Sequence, residues 1–148
     1  MSVDTLPGLD ATDVSAVLSV TSGPPIIVER AMYLNRPGQA FAAGHESAGV
    51  TAPALDWFVA EGATGDFFDM FLLLANPGTE EASVQATYLL PDGSTLDKVY
   101  DVPAASRFNI WVDAETVPGH GLALADTAVS VALHVINGVP IIVERAMW

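Results

Sequence analysis

The sequence predicts an all-β protein, an antiparallel β-sandwich of about eight to ten strands. Alternation of apolar and polar residues with period two dominates the chain, and turn signals recur about every ten residues. No window of a dozen residues sustains the 3.6-residue period of a helix, and the best helical candidate is one short turn near residues 117–126. Helix content is therefore expected below about 10%, well under the average for globular proteins.

The alternation locates individual strands. Apolar residues occupy every second position in residues 82–90, 106–113 and 129–135, which is typical of strands with one buried face. Residues 70–75 are apolar on both faces, which predicts a central strand that is covered on both sides.

Glycine-containing turns separate these strands. Residues 91–94 (Pro-Asp-Gly-Ser) and 137–138 (Asn-Gly) are predicted to be hairpin turns, because glycine supplies the positive φ that tight turns need. Residues 76–79 (Asn-Pro-Gly-Thr) form a third predicted turn.

The strongest signal is an internal repeat. Residues 14–33, here called the first copy, align without a gap with residues 129–148, the second copy, and 13 of the 20 positions are identical. The eight residues 25–32 and 140–147 are identical without interruption, at an offset of 115 residues. A period of this length exceeds that of solenoids and suits a whole sandwich domain in a tandem array.

The repeat predicts two parts. Residues 1–34 are the C-terminal hairpin of a preceding repeat, and residues 35–148 are one complete unit, with residues 35–56 as a linker. The two parts could also fold together as one domain. In a permuted alternative, the first copy supplies strands to the unit and the second copy is spare.

Composition and charge restrict the partners. The chain has 148 residues, no cysteine, 18 acidic side chains and five basic ones, for a net charge of −13. Such a surface repels phosphate backbones and anionic lipids, so neither nucleic acid nor a membrane surface is an expected partner. The longest apolar run, around residues 69–75, is too short to span a bilayer, so no membrane insertion is expected. Its charge is explained by solubility, or by divalent cations or high salt. The first ten residues lack an apolar run, so no signal peptide is expected there and the chain is interpreted as an excised segment.

No catalytic constellation is predicted, and the chain is not expected to be an enzyme. Ser47 lies in Gly-His-Glu-Ser-Ala-Gly, but the nucleophile elbow needs glycine two positions before the serine, where this chain has His45. The other histidines, His120 and His134, are not at metal-ligand spacing.

Three polar groups are binding candidates. Glu61, Asp66 and Asp69 could hold calcium, which prefers six to eight oxygen ligands; no other cofactor is expected. The pairs Glu29–Arg30 and Glu144–Arg145 place a charge on a largely apolar strand face, which predicts structural ion pairs, with a recognition site as the alternative. A weak sugar-binding surface is predicted at three residues of one strand face: Trp111, Arg107 and Asn109.

Four motifs together resemble a tandem module of large exported bacterial proteins. They are Pro-Ile-Ile-Val-Glu-Arg-Ala-Met-Tyr (residues 25–33), Ala-Glu-Gly-Ala-Thr (60–64), Leu-Leu-Leu-Ala-Asn-Pro (72–77) and Val-Pro-Ala-Ala-Ser-Arg (102–107). The resemblance covers residues 14–148 and implies an immunoglobulin-like sandwich and an extracellular or bacterial cell-surface location. It carries over no catalytic residues.

The expected function is thus that of a non-catalytic structural or adhesive module, which self-associates through its repeated hairpins. Its partners would be neighbouring modules or other copies of itself. The alternative is a sandwich that binds a ligand, either a glycan or calcium.

Overall fold

Nine strands in three antiparallel sheets make up the computed structural model, which describes the backbone of all 148 residues and every side chain except that of Phe41. The prediction of an all-β antiparallel sandwich of eight to ten strands is confirmed. Helical structure is confined to two 3-10 turns, Val3–Thr5 and Val112–Ala114. The strands are β1 (Glu29–Arg36), β2 (Gln39–Ala48), β3 (Asp56–Val59), β4 (Met70–Asn76), β5 (Ala82–Leu89), β6 (Thr95–Val102), β7 (Ser106–Trp111), β8 (Ser130–Val135) and β9 (Ile142–Met147).

Two of the sheets form the sandwich. One has the strand order β3-β8-β5-β6 and the other β7-β4-β9. The central pairs β4–β7 and β5–β8 join the second strand of the sandwich to the fifth and the third to the sixth, as in the immunoglobulin arrangement. The edge strands differ from that arrangement, because β3 pairs with β8 and β9 pairs with β4.

The core lies between these two sheets and follows the predicted alternation. Every second residue of β4 and β5 is buried, and so are all four odd-numbered residues 129–135. Strand β4 lies between β7 and β9, as expected for a central strand. The largest fully buried side chains come from both sheets and the loops between them: Tyr88, Met70, Leu72, Leu74, Ile110, Leu124, Leu133 and Ile141.

One hairpin turn is confirmed and the other prediction is wrong. Residues 91–94 connect the paired strands β5 and β6, and Gly93 has a φ of 85°. Gly138 also has a positive φ, 79°, but the strands on either side of it, β8 and β9, lie in different sheets. The second copy is therefore an arch that crosses the sandwich and not a hairpin.

The third sheet is a hairpin of β1 and β2, outside the two layers of the sandwich. Strand β2 occupies ten residues of the segment that the sequence predicted to be a linker. The first copy thus differs from the second, since its residues 14–28 form no strand and only its end, from Glu29 on, belongs to β1.

A buried asparagine fixes the turn after β4. Asn76 is 1% exposed, and its side-chain amide donates to the carbonyls of Glu80 (2.8 Å) and Val102 (3.0 Å). Its Oδ1 accepts from the backbone N–H of Gly78 at 2.9 Å. These three bonds satisfy backbone groups where the chain passes from one sheet to the other, so the predicted turn at residues 76–79 has a structural anchor.

Candidate functional site

The second copy completes the sandwich in both sheets. Strand β8 lies between β3 and β5, whereas β9 forms the edge beside β4. The indole of Trp57 holds the arch by donating to the carbonyl of Ile141 at 3.1 Å, and the N–H of Ile141 donates to Ala54 at 3.0 Å. Residues 129–148 are therefore bonded to strands from both layers.

The first copy has nearly the same residues as the second, but its apolar side chains are exposed to solvent where those of the second copy are buried. Leu18 is 56% exposed and its equivalent Leu133 is 2% exposed, while Ile26 is 60% exposed and Ile141 fully buried. Val14 and Val20 are likewise exposed where their equivalents are buried. One sequence thus occurs both as part of the core and as an uncovered apolar segment, and the permuted alternative is not the arrangement observed.

The β1–β2 hairpin contacts β9 through the repeated charged residues. Arg30 Nη2 lies 3.0 Å from Glu144 Oε2, and the Ser47 hydroxyl donates to the other oxygen of Glu144 at 3.4 Å. The ion pair is not aligned as a hydrogen bond, so Arg30 Nε and Nη2 are buried without a hydrogen-bond partner among the described residues, as is His45 Nε2. The hairpin therefore contacts β9 at ion-pair distance but leaves buried donors of Arg30 without a hydrogen bond.

His45 lies on β2 in the same contact. Burial, followed by the positive charges of Arg30 and Arg145, lowers the pKa of His45 below its usual value of 6.5, and the nearby Glu144 only partly offsets these effects. The neutral imidazole is therefore favoured while the hairpin is in place.

Arg145, the equivalent of Arg30 in the second copy, has a different partner. Its Nη1 lies 3.7 Å from a carboxylate oxygen of Glu61 and also donates to the Glu61 carbonyl. Both arginines thus meet a carboxylate, although the sequences around them are identical. Glu29, in contrast to its equivalent Glu144, is exposed.

The three carboxylates of the predicted calcium site, Glu61, Asp66 and Asp69, are not grouped in the structure, and calcium binding stays a prediction. Among the described side chains, no three of His, Asp or Glu are grouped so that they could hold a metal ion. Glu61 is engaged by Arg145, and Asp69 accepts a hydrogen bond from the Trp111 indole at 3.0 Å. Asp66 is exposed and does not join them.

An aromatic row crosses the outer face of the three-stranded sheet. Phe71 stacks on Trp111 with ring centroids 5.9 Å apart and on Trp148 at 4.9 Å. Trp111 is 48% exposed, so one end of the row is open to solvent. A row of stacked rings offers the apolar surface that sugar rings pack against.

The polar residues predicted to accompany Trp111 are already paired. Asp13 accepts from Asn109 at 3.0 Å and forms an ion pair with Arg107 at 2.9 Å. The Asp13 carboxylate, next to the first copy, thus contacts both polar side chains that were predicted to accompany Trp111. Other aromatic residues that could have joined a platform, Tyr88 and Tyr100, are buried in the core.

The two tyrosines form a buried polar network. Their hydroxyls are 2.7 Å apart, and Tyr100 also donates to Glu115 at 3.0 Å, which pairs with Lys98. Burial raises the pKa of Tyr88 to about 12 and also raises that of Tyr100. Both phenols are therefore neutral at physiological pH.

The remaining polar candidates lie on strands or at the surface. Ser47 lies on a strand, His134 pairs with Asp56 at 2.6 Å on the exposed face, and His120 is exposed. Sequence reasoning missed Asp113, whose carboxylate accepts from the N–H groups of Gly65 and Met70, both at 2.9 Å. The alternation had assigned Asp113 to the end of a strand over residues 106–113, whereas it lies in the 3-10 turn Val112–Ala114.

Comparisons with known proteins identify a similar fold and no family. No family model and no curated protein sequence matches the chain. Among solved structures, the Anabaena sensory rhodopsin transducer is similar, with a TM-score of 0.55 and 20% sequence identity. The match covers 66% of this chain and all of the transducer chain. At this identity the likeness concerns the fold alone. No helix long and apolar enough to cross a membrane occurs in the described part of the chain.

Proposed function

We propose that the chain is a non-catalytic structural or adhesive module of an exported bacterial tandem-repeat protein. The observation that carries the proposal is the duplicated segment, residues 14–33 and 129–148. Its second copy completes a sandwich, and its first copy, 115 residues earlier, leads into a hairpin beside that sandwich. The resemblance of the four motifs to modules of exported proteins supports an extracellular or cell-surface location.

The edge of β9 is where a following unit would attach. Among the described strands only β4 pairs with β9, so no strand pairs with its other edge; the β1–β2 hairpin touches β9 through side chains, at Glu144. In a continued repeat, Trp148 would be followed by an equivalent of Leu34 and of β2, which would pair with this edge as β2 pairs with β1. Neighbouring modules or other copies of the chain are thus the expected partners, joined by main-chain hydrogen bonds. The charge of −13 argues against nucleic acid as a partner.

The test is a two-unit chain in which residues 34–148 are repeated directly after Trp148. The added β2 equivalent should protect the outward amides of Val143, Arg145 and Met147 from hydrogen exchange and raise the melting temperature of the first unit. The control has the same two units joined by a flexible Gly-Ser segment inserted after Trp148. If both chains melt and exchange like the single unit, the units do not associate and the structural proposal fails.

The second candidate function is glycan binding, favoured by the row of Trp111, Phe71 and Trp148. Its test is a glycan array with the parent chain and with Trp111→Ala as the matched variant, since this ring is half exposed and its removal leaves the core intact. Binding that is lost in the variant would support a lectin-like module. No binding, or equal binding by both chains, would contradict it.

A further inference from the structure

We propose that the first copy is a second, interchangeable strand pair for this sandwich, and that it replaces the second copy when the latter is disabled. The body of the sandwich, strands β3–β7, lies in the sequence between two copies of the segment that completes it. The occupant is residues 14–33 of the same chain. This inference deepens the proposed repeat function and depends on it.

The apolar residues of the first copy match the place they would fill. Val14, Leu18, Val20 and Ile26 are identical to Val129, Leu133, Val135 and Ile141. The latter four are at most 3% exposed, and the former four are between 38% and 60% exposed. Apolar side chains gain free energy on burial in proportion to the area removed from water, so the first copy has the same reason to enter the sandwich.

Hydrogen-bond directions show that β1 could replace β9 without leaving β2. The backbone N–H and C=O of Trp148 both bond to Asp69, so the backbone N–H and C=O groups of the even-numbered residues of β9 face β4. Residues 29, 31 and 33 are equivalent to residues 144, 146 and 148, so in the exchanged form their backbone groups would also face β4. The carbonyl of Val28, however, accepts a hydrogen bond from the N–H of Gly49, so the backbone groups of residues 28, 30 and 32 face β2. Because these are opposite edges of one strand, the exchanged sheet would have the order β7-β4-β1-β2.

The connection to β3 is long enough for this exchange. Ala54 bridges Ile141 in the structure, and in the exchanged form it would bridge Ile26. Residue 48 ends β2 opposite Glu29, three positions from Ile26 along the same strand. The six-residue step from 48 to 54 spans up to about 20 Å when extended, against roughly 10 Å along those three strand positions. No unfolding of the hairpin is required.

Two substitutions explain why the second copy is the occupant observed. Ala16 stands where the second copy has Val131, which is 1% exposed, so the first copy fills the core less completely. Ser22 stands where Asn137 accepts from the N–H of Ser83 at 3.1 Å and donates to the carbonyl of Glu81 at 2.7 Å. The first copy should therefore stabilise the sandwich less than the second copy does when it occupies the positions of β8 and β9.

The experiment is a double-mutant cycle in the full chain with Leu18→Asp and Leu133→Asp. Leu18→Asp alone should leave the melting temperature within about 2 °C of the parent, because the side chain is exposed. Leu133→Asp places a carboxylate in the core, yet this variant should keep a cooperative transition at a lower temperature. Its folded form should be monomeric, with residues 14–28 newly protected from hydrogen exchange and residues 130–143 no longer protected. The double variant should lose the cooperative transition.

Equal behaviour of Leu133→Asp and the double variant, whether both fold or both unfold, would overturn the inference. If Leu133→Asp keeps a cooperative transition only as a dimer or a larger species, the exchange occurs between chains and the intrachain replacement proposed here is overturned. Neither result affects the two-unit test above, since that test concerns the open edge of β9 in the parent sequence.

Discussion

Replacing Asn76 by alanine should destabilise the sandwich by about 3 kcal/mol. The side chain makes three hydrogen bonds, to the carbonyls of Glu80 and Val102 and from the N–H of Gly78, at 2.8, 3.0 and 2.9 Å. Each is worth about 1 kcal/mol net, and the bonds lie in a site that is almost inaccessible to water. For a domain of this size, the loss corresponds to a fall of about 12 °C in the melting temperature.

Asn137 is the matched control for this prediction. It also bridges two backbone groups, the N–H of Ser83 and the carbonyl of Glu81, but it is exposed. Water can replace both bonds there, so Asn137→Ala should cost at most about 1 kcal/mol. Asn76→Asp preserves the shape but removes both donors, and it should destabilise at least as much as alanine.

The measurement is urea denaturation of the four chains, followed by circular dichroism. The slope of the free energy of unfolding against urea concentration should be the same in all four chains, so that differences in the midpoint report differences in stability. If Asn76→Ala and Asn137→Ala shift the midpoint equally, burial does not set the value of these bonds and the reasoning is wrong.

Three further predictions concern ionisable groups. The folded-state pKa of Tyr88 is raised to about 12 and that of Tyr100 is also raised, so the stability that these two phenols contribute should be fully present below about pH 10 and be lost as the pH rises above it. Tyr88→Phe should make this decline shallower in a pH series of melting temperatures. His45 has a lowered pKa, so the hairpin contact should weaken as pH falls below 6.5, detected as faster proteolysis of residues 29–48; an unchanged rate in His45→Gln and parent alike would contradict this. Arg145→Ala should cost about 1–2 kcal/mol, between the values for exposed and buried pairs; an unchanged melting temperature for Arg145→Ala would show that its pair is a surface pair.

The strand faces could be predicted from the sequence, but the strand partners could not. Alternation in residues 82–90 and 129–135 assigned the buried side chains correctly, because a strand must turn one face to the core. The Asn137–Gly138 turn has the positive φ that its sequence indicates, yet it connects two sheets. A turn sequence specifies local backbone angles, and the pairing of the flanking strands depends on distant residues.

Identical segments also set a limit on sequence reasoning. Arg30 and Arg145 have the same neighbours but meet Glu144 and Glu61, because only the second copy enters the sandwich. Strand β2 was missed, since its Ala- and Gly-containing sequence has few β-branched residues to indicate a strand. The three carboxylates of the calcium prediction are close in sequence but are not grouped among the described side chains, because successive loop residues need not point to one place.

One segment is present twice in this chain, and only its second copy is part of the sandwich. Hydrogen exchange by NMR at Ile26 and Ile141 tests it directly, because the residues on both sides are identical and the intrinsic exchange rates are therefore equal. The Ile141 N–H is bonded to Ala54 and its residue is buried, whereas Ile26 is 60% exposed. We predict that Ile26 exchanges near the intrinsic rate and that Ile141 is slower by a factor of about 1,000 or more. Equal protection of the two amides would contradict the account.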